Sequence, residues 1–323
     1  MNKKIKKTLM SILCCALLAA SILGFVTGRT VSAEVAIPEK PTGTYTGVLT
    51  GEIADSMLDS FKVYGASTRT IGVNGIRFLS TIENDDLAFI PKGAEFGTII
   101  IPNRLLGDAE LTKDTAKALV APAKVVTNVK EVPENGMGYY ISLVGETLTS
   151  SFPTNLYDTV FAARAYVKYT YENAYGEMVE DYVYSTKTTY RSIAYVASCE
   201  LAKMANAGSP DNDENSFLNR IVSEVADKQE MSVALSETVI NIGDTTSVSV
   251  SGISDGVNEF AYSLISSNTS VAVIGENGEI DAVGVGTATI TARIGLTERT
   301  VELTVKDPDA AERMKAVIFC ILR

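Results

Sequence analysis

The sequence predicts a mainly β chain: an N-terminal β-sandwich-like module with flanking helices, followed by a second, smaller β-sandwich. Three observations carry this. Apolar residues alternate with polar ones at a period of two in the longest patterned segments, as in "TVFAARAYVKYTY" (159–171) and "TATITARI" (287–294), the spacing that gives a strand one buried and one wet face. The patterned runs are short and are divided by turn residues, among them Asn277-Gly278, a strong hairpin signal. Clear helical spacing is confined to two segments near the middle of the 323 residues.

In order along the chain, residues 34–52 mix Pro, Thr and Gly without periodicity and read as a linker. The N-terminal module is placed at 53–228. "GIRFLSTI" sets Ile76, Phe78, Ser80 and Ile82 against Arg77, Leu79 and Thr81, and "FGTIIIP" is an apolar run stopped by Pro102. "LTKDTAKALVAP" reads as a brief helix ended by Pro122, and "AKVVTNV" and "GYYISLV" as further strands. In 159–171, Phe161, Ala163, Ala165, Val167 and Tyr169 share the face expected to be buried, and Arg164, Tyr166 and Lys168 the face expected to be wet. "EMVEDYVYS" is its expected hairpin partner across "ENAYGE". Ile193, Val196, Ala197, Leu201 and Met204 then fall at helical spacing, with Gly208 beyond the end, and Phe217, Leu218, Ile221, Val222 and Val225 mark a second amphipathic helix. Between them, Asp211-Asn212-Asp213-Glu214-Asn215 imitates the start of a calcium loop. Ser216 replaces its turn glycine and Val222 its bidentate Glu, so the segment is expected to be a solvated linker whose Asp and Asn residues cap the next helix.

The second body is placed at 229–306. "TSVSVSG", "EFAYSLIS", "SVAVI", "EIDAV", "TATITARI" and "TVELTVK" are strand signals, and Ala288, Ile290, Ala292 and Ile294 alternate with Thr287, Thr289, Thr291 and Arg293. Gly284 and Gly286 form a G-x-G, but Thr289 stands at the third glycine of a dinucleotide fingerprint and a strand pattern follows where a helix is needed. They are expected to serve a tight turn, and no nucleotide is expected.

The landmarks of this second body, Gly243-Asp244, Ser266-Ser267-Asn268, Val271-Ala272, Gly278 and the run Gly284 to Ile290, resemble the bacterial immunoglobulin-like domain of group 2. Leu264 stands where that family often carries a core tryptophan. The resemblance implies an Ig-like sandwich in a secreted or surface protein, where the domain is often a spacer; it assigns no binding residues. The N-terminal module is similar, in "YGASTRT", "GIRFLSTI", "FGTIIIP", "FAARAYVKY" and "YRSIAYVA", to an uncharacterised repeat of secreted proteins from Gram-positive anaerobes, with no activity to carry over.

Residues 1–33 read as a secretory signal peptide: four lysines up to Lys7, an apolar stretch from Leu9 to Val26, and Val31-Ser32-Ala33 as the cleavage site. Membrane contact is expected only through this segment, and the protein is expected outside the cell or at its surface. Its removal takes five of the 28 basic residues and none of the 39 acids, leaving a net charge of −16. Such a surface repels phosphate backbones, so nucleic acid is not an expected partner. Cys199 and Cys320 then remain, too few for a disulfide scaffold; the sequence leaves their pairing open. With no histidine, imidazole-dependent nucleophiles and the HExxH zinc site cannot be built. No catalytic residue, metal ligand or cofactor is assigned. The tail 307–323 ends in the apolar run "AVIFCIL", far too short to span a membrane.

Eleven of the fourteen tyrosines lie between Tyr139 and Tyr195. Tyrosine joins a flat apolar face to a hydroxyl, the pairing a sugar-binding surface uses. The candidate ligand surface is Arg164, Tyr166 and Lys168, with Tyr182 and Tyr184 on the next strand and Arg77 if its strand lies alongside. Its expected partner is a cell-wall or host glycan or a surface protein. The same residues also suit plain cross-strand pairing, which leaves a purely architectural role open. A carboxylate-based glycoside hydrolase is the enzymatic alternative, with Glu172, Glu177, Glu180 and Asp181 near one hairpin and Glu83, Asp85 and Asp86 near another.

Overall fold

The computed structural model describes residues 47–124, 126, 136–145, 153–275 and 277–310. The signal peptide, most of the linker, the strand expected from "AKVVTNV" beyond Lys124 except Val126, and the apolar tail with Cys320 lie outside these residues. Among the described residues the chain is mainly β, with sixteen strands in four sheets. It forms two compact units that divide between Val196 and Ala197.

In the N-terminal unit, β1 (Lys62–Arg69), β2 (Gly75–Glu83) and β5 (Gly136–Val144) form an antiparallel sheet in the order β1-β2-β5. A second sheet runs β4 (Leu119–Pro122), β3 (Glu95–Pro102), β6 (Phe161–Glu172), β7 (Met178–Tyr184), with β8 (Thr189–Arg191) also pairing to β6. Two short helices, α1 (Asn84–Leu87) and α2 (Asn103–Leu106), follow β2 and β3. The sheets face each other through a buried Ser80–Thr98 hydroxyl pair at 3.0 Å and the Tyr139 hydroxyl, which donates to the Gly97 carbonyl. Burial drives the Tyr139 phenol well above its ordinary pKa, so it stays a proton donor there.

The segment expected as a helix over 111–122 is instead a turn followed by strand β4. Lys117 takes a positive φ of 66°, which a helix cannot hold, and residues 119–122 pair with β3 from Gly97 to Ile100. The β6–β7 hairpin across Asn173 to Glu177 forms as expected, with Tyr166 opposite Tyr184 and Lys168 opposite Tyr182.

Helix α3 (Ile193–Asn206) contains the division between the units, which falls earlier in the chain than the sequence boundary at residue 228. Helix α4 (Phe217–Lys228) belongs to the C-terminal unit, where it packs on strand β16 (Thr297–Lys306). Its cap is Ser216, whose side chain accepts from the Asn219 amide, and not the preceding Asp and Asn residues. The rest of this unit is two four-stranded sheets. One runs β10 (Val239–Asn241), β16, β15 (Gly286–Ile294), β12 (Ser263–Ser266); the other runs β13 (Ala272–Ile274), β14 (Glu279–Ala282), β11 (Thr245–Ser251), β9 (Ser232–Leu235). Their inner faces meet in a cluster that includes Ile240, Ala272, Ile280, Ala288, Ile290, Leu303 and Val305. The alternation read in β15 holds at each position from Ala288 to Ile294.

The two glycines at the start of β15, Gly284 just before it and Gly286 its first residue, have different causes. Gly286 adopts φ 145°, outside ordinary L-residue space. Gly284 lies so close to the Ser270 carbonyl oxygen that no Cβ fits. Gly284→Ala is therefore expected to destabilise the C-terminal unit by about 2 kcal/mol or more, measured as a lowered urea midpoint with an unchanged slope.

Candidate functional site

Strand β6 lies between β3 on one side and β7 with β8 on the other, so its backbone is paired along both edges. Its first seven residues are buried on both faces. The expectation that Arg164 and Tyr166 face water is overturned. The chain between β3 and β4 supplies the reason: Leu106 and Leu111 join Ile99, Ile101, Ala162 and Tyr166 in one buried cluster over that face.

Arg164 is 4 % exposed and is held from several directions. Its Nε donates to the Ser185 carbonyl at 2.7 Å, and its Nη1 to Glu110 Oε1 at 2.6 Å and the Leu111 carbonyl at 3.2 Å. Its Nη2 donates to Asp55 Oδ2 at 3.0 Å, and the other Asp55 oxygen accepts from the Tyr184 amide at 2.9 Å. The guanidinium also lies 4.8 Å from the Tyr184 ring centroid. One side chain thus ties the β3–β4 connection, the short 3-10 turn Asp55–Met57 and the end of β7 to the central strand.

Tyr166 is 1 % exposed, and its ring lies across Gly97, its cross-strand partner in β3, where no Cβ would fit. Burial, with Glu95 nearby, raises its pKa well above the ordinary phenol value. Outside this packed row the side chains reach solvent. Tyr182 and Tyr184 are half-buried and stacked, with ring centroids 6.3 Å apart and planes 16° apart; Tyr182 also meets Tyr166 at 5.6 Å. Lys113 Nζ stands 5.4 Å from the Tyr182 centroid while paired to Asp114 at 2.8 Å. Lys168 Nζ pairs with Glu180 at 2.9 Å, and that bond raises its pKa. The Tyr184 phenol is raised by burial, an effect partly offset by the Lys113 amide and charge.

The structure therefore gathers Arg164, Tyr166, Lys168, Tyr182 and Tyr184 on one sheet. Arg77 does not join them. It lies on β2 in the other sheet, where its Nε and Nη2 donate to Ser67 Oγ at 3.1 Å and its guanidinium covers the Tyr140 ring at 4.6 Å. Glu110, Lys113 and Asp55 were not legible as neighbours, because they are 54, 51 and 109 residues from Arg164 and two of them fell in or beside a segment read as helix. The hairpin acids have local partners: Glu180 holds Lys168, and Asp181 Oδ1 accepts from the Tyr182 amide. In the other acid group, Asp86 accepts from both the amide and hydroxyl of Ser60. Among the described residues no three His, Cys, Asp or Glu side chains are grouped to hold a metal, and no helix is long and apolar enough to cross a membrane. No protein-family model matches the chain. No curated protein matches it either.

Arg164→Ala is expected to cost about 2–3 kcal/mol. That is below the 3–5 kcal/mol of a fully buried broken pair, because Glu110 and Asp55 keep access to water; chemical denaturation of the N-terminal unit measures it. Tyr169, whose hydroxyl accepts from the Ile53 amide at 2.7 Å, has its pKa pushed up by burial to about 12. The folded chain thus holds this proton more tightly than the unfolded one. Its contribution to stability is complete below about pH 10 and is lost as pH rises through about 12, which an alkaline titration of tyrosinate absorbance against melting temperature checks.

Proposed function

We propose that this chain is an exported, non-catalytic surface protein. Its N-terminal unit presents a tyrosine- and lysine-bearing surface to a glycan or a protein loop, and its C-terminal sandwich acts as a spacer of the group 2 bacterial Ig-like kind. The observation that carries this reading is the Tyr182–Tyr184 stack on β7, half-exposed, with Lys113 and Lys168 beside it. Aromatic edges give a ligand apolar contact at low entropic cost, and the hydroxyls and ammonium groups supply directional bonds. In this reading Arg164 and Tyr166 touch no ligand; they hold the two tyrosines in place from below. The strong acidity of the chain favours a neutral or basic partner.

Their burial also supports a second reading, in which the whole row is architectural. One experiment separates the two. The chain is screened on a glycan array and used as bait in bacterial-wall and host-surface extracts. Under the binding reading, Tyr182→Ala/Tyr184→Ala lowers retention about tenfold or more, equivalent to ~1.4 kcal/mol. Lys113→Gln/Lys168→Gln weakens it with an unchanged melting temperature. Retention unaffected by all four changes, or no retention by the unaltered chain, supports the architectural reading.

A further inference from the structure

The tyrosine surface of β7 already carries its own ions. Lys113 donates to both Asp114 oxygens, at 2.8 and 2.9 Å, and Lys168 holds Glu180 at 2.9 Å. All four side chains reach solvent, the two carboxylates most. Beneath them Arg164 uses Glu110 and Asp55. Glu95 stands opposite Lys168 in the ladder and bonds the Tyr166 hydroxyl, and Asp181 is turned to the Tyr182 amide. The connection over this face, residues 103–118, is balanced in charge: Arg104, Lys113 and Lys117 against Asp108, Glu110 and Asp114. At the rim of the sheet, exposed Lys124 and Lys187 offset Glu95 and Glu172. The whole chain, by contrast, has 28 bases to 39 acids. The rings are engaged as well. Lys113 lies over Tyr182 at 5.4 Å, Arg164 lies over Tyr184 at 4.8 Å, and the two rings stack on each other.

We infer, resting on the binding reading above, that the ligand of this surface is a neutral glycan, and that acidic sugars and basic protein loops are turned away. An acidic group would have to displace a carboxylate from an ammonium that is already bonded. A lysine or arginine from a protein loop would find the cation positions over the rings filled and the carboxylates paired. A sugar hydroxyl both donates and accepts. It therefore suits a lysine–carboxylate pair, in which the ammonium donates and the spare lone pairs of the carboxylate accept. The ring edges of Tyr182 and Tyr184 supply the apolar contact.

The purified whole chain is applied to one array carrying neutral oligosaccharides, carboxylate- or sulfate-bearing oligosaccharides of the same backbones, and lysine-rich peptides. Retention is expected on the neutral oligosaccharides alone. It is expected to fall about tenfold in Tyr182→Ala/Tyr184→Ala, and to change by less than about twofold between ~0.05 and ~0.5 M sodium chloride. Asp114→Asn/Glu180→Gln unpairs both lysines at exposed positions. It is expected to weaken neutral binding at least about threefold and to bring retention of acidic oligosaccharides. Tyrosine-dependent capture of acidic oligosaccharides or lysine-rich peptides by the unaltered chain overturns the inference and leaves the binding reading standing. So does an Asp114→Asn/Glu180→Gln variant whose ligand range is unchanged. Capture of no probe, or of neutral sugars regardless of the two tyrosines, overturns both.

Discussion

The N-terminal unit depends on one buried guanidinium. Arg164 stands on the central strand β6, and its donors reach Ser185, Leu111, Glu110 and Asp55. A charge this deep is tolerated only when its hydrogen bonds are met. Here they are met by groups from three distant parts of the chain, so the side chain acts as a staple. Without it, the β3–β4 connection would be held to the sheet mainly by Leu106 and Leu111, and the turn at Asp55 by the Ile53 and Tyr184 amide bonds beside it.

That staple also governs the surface beyond it. Asp55 uses one oxygen on Arg164 and the other on the Tyr184 amide, so it caps an outward amide on the β7 edge. Asp181 does the same for Tyr182. Carboxylates on an edge strand discourage another strand from pairing there. The tyrosines of β7 are thereby left to present side chains, with their orientation set by Arg164 and Tyr166 underneath. The row is neither wholly buried nor wholly a surface: structural groups lie below and solvent-facing groups above.

The C-terminal unit is organised by close backbone approach and not by a polar staple. Its core is small and aliphatic, rich in alanine and isoleucine, so the sheets and loops must come near one another. Gly284 against the Ser270 carbonyl is one such contact. Helix α4 on β16 covers part of one sheet, while the loops at 242 and 283–285 leave aliphatic groups in water.

The sequence by itself determined the local states: β6, β7 and β15, both long helices, the hairpin across Asn173 to Glu177, and the mainly β class. Each of these follows from spacing along a few residues, where the period of the apolar pattern matches that of the backbone. Only the tertiary structure decided which faces are covered. Arg164 and Tyr166 occupy positions that alternation reads as wet, and they are buried because the chain between β3 and β4, distant in sequence, lies over them. Lys117 and β4 replace a helix because pairing to β3 outweighs local propensity. Arg77 belongs to a different sheet because sheet membership is set by long-range pairing, which no periodicity within "GIRFLSTI" can record.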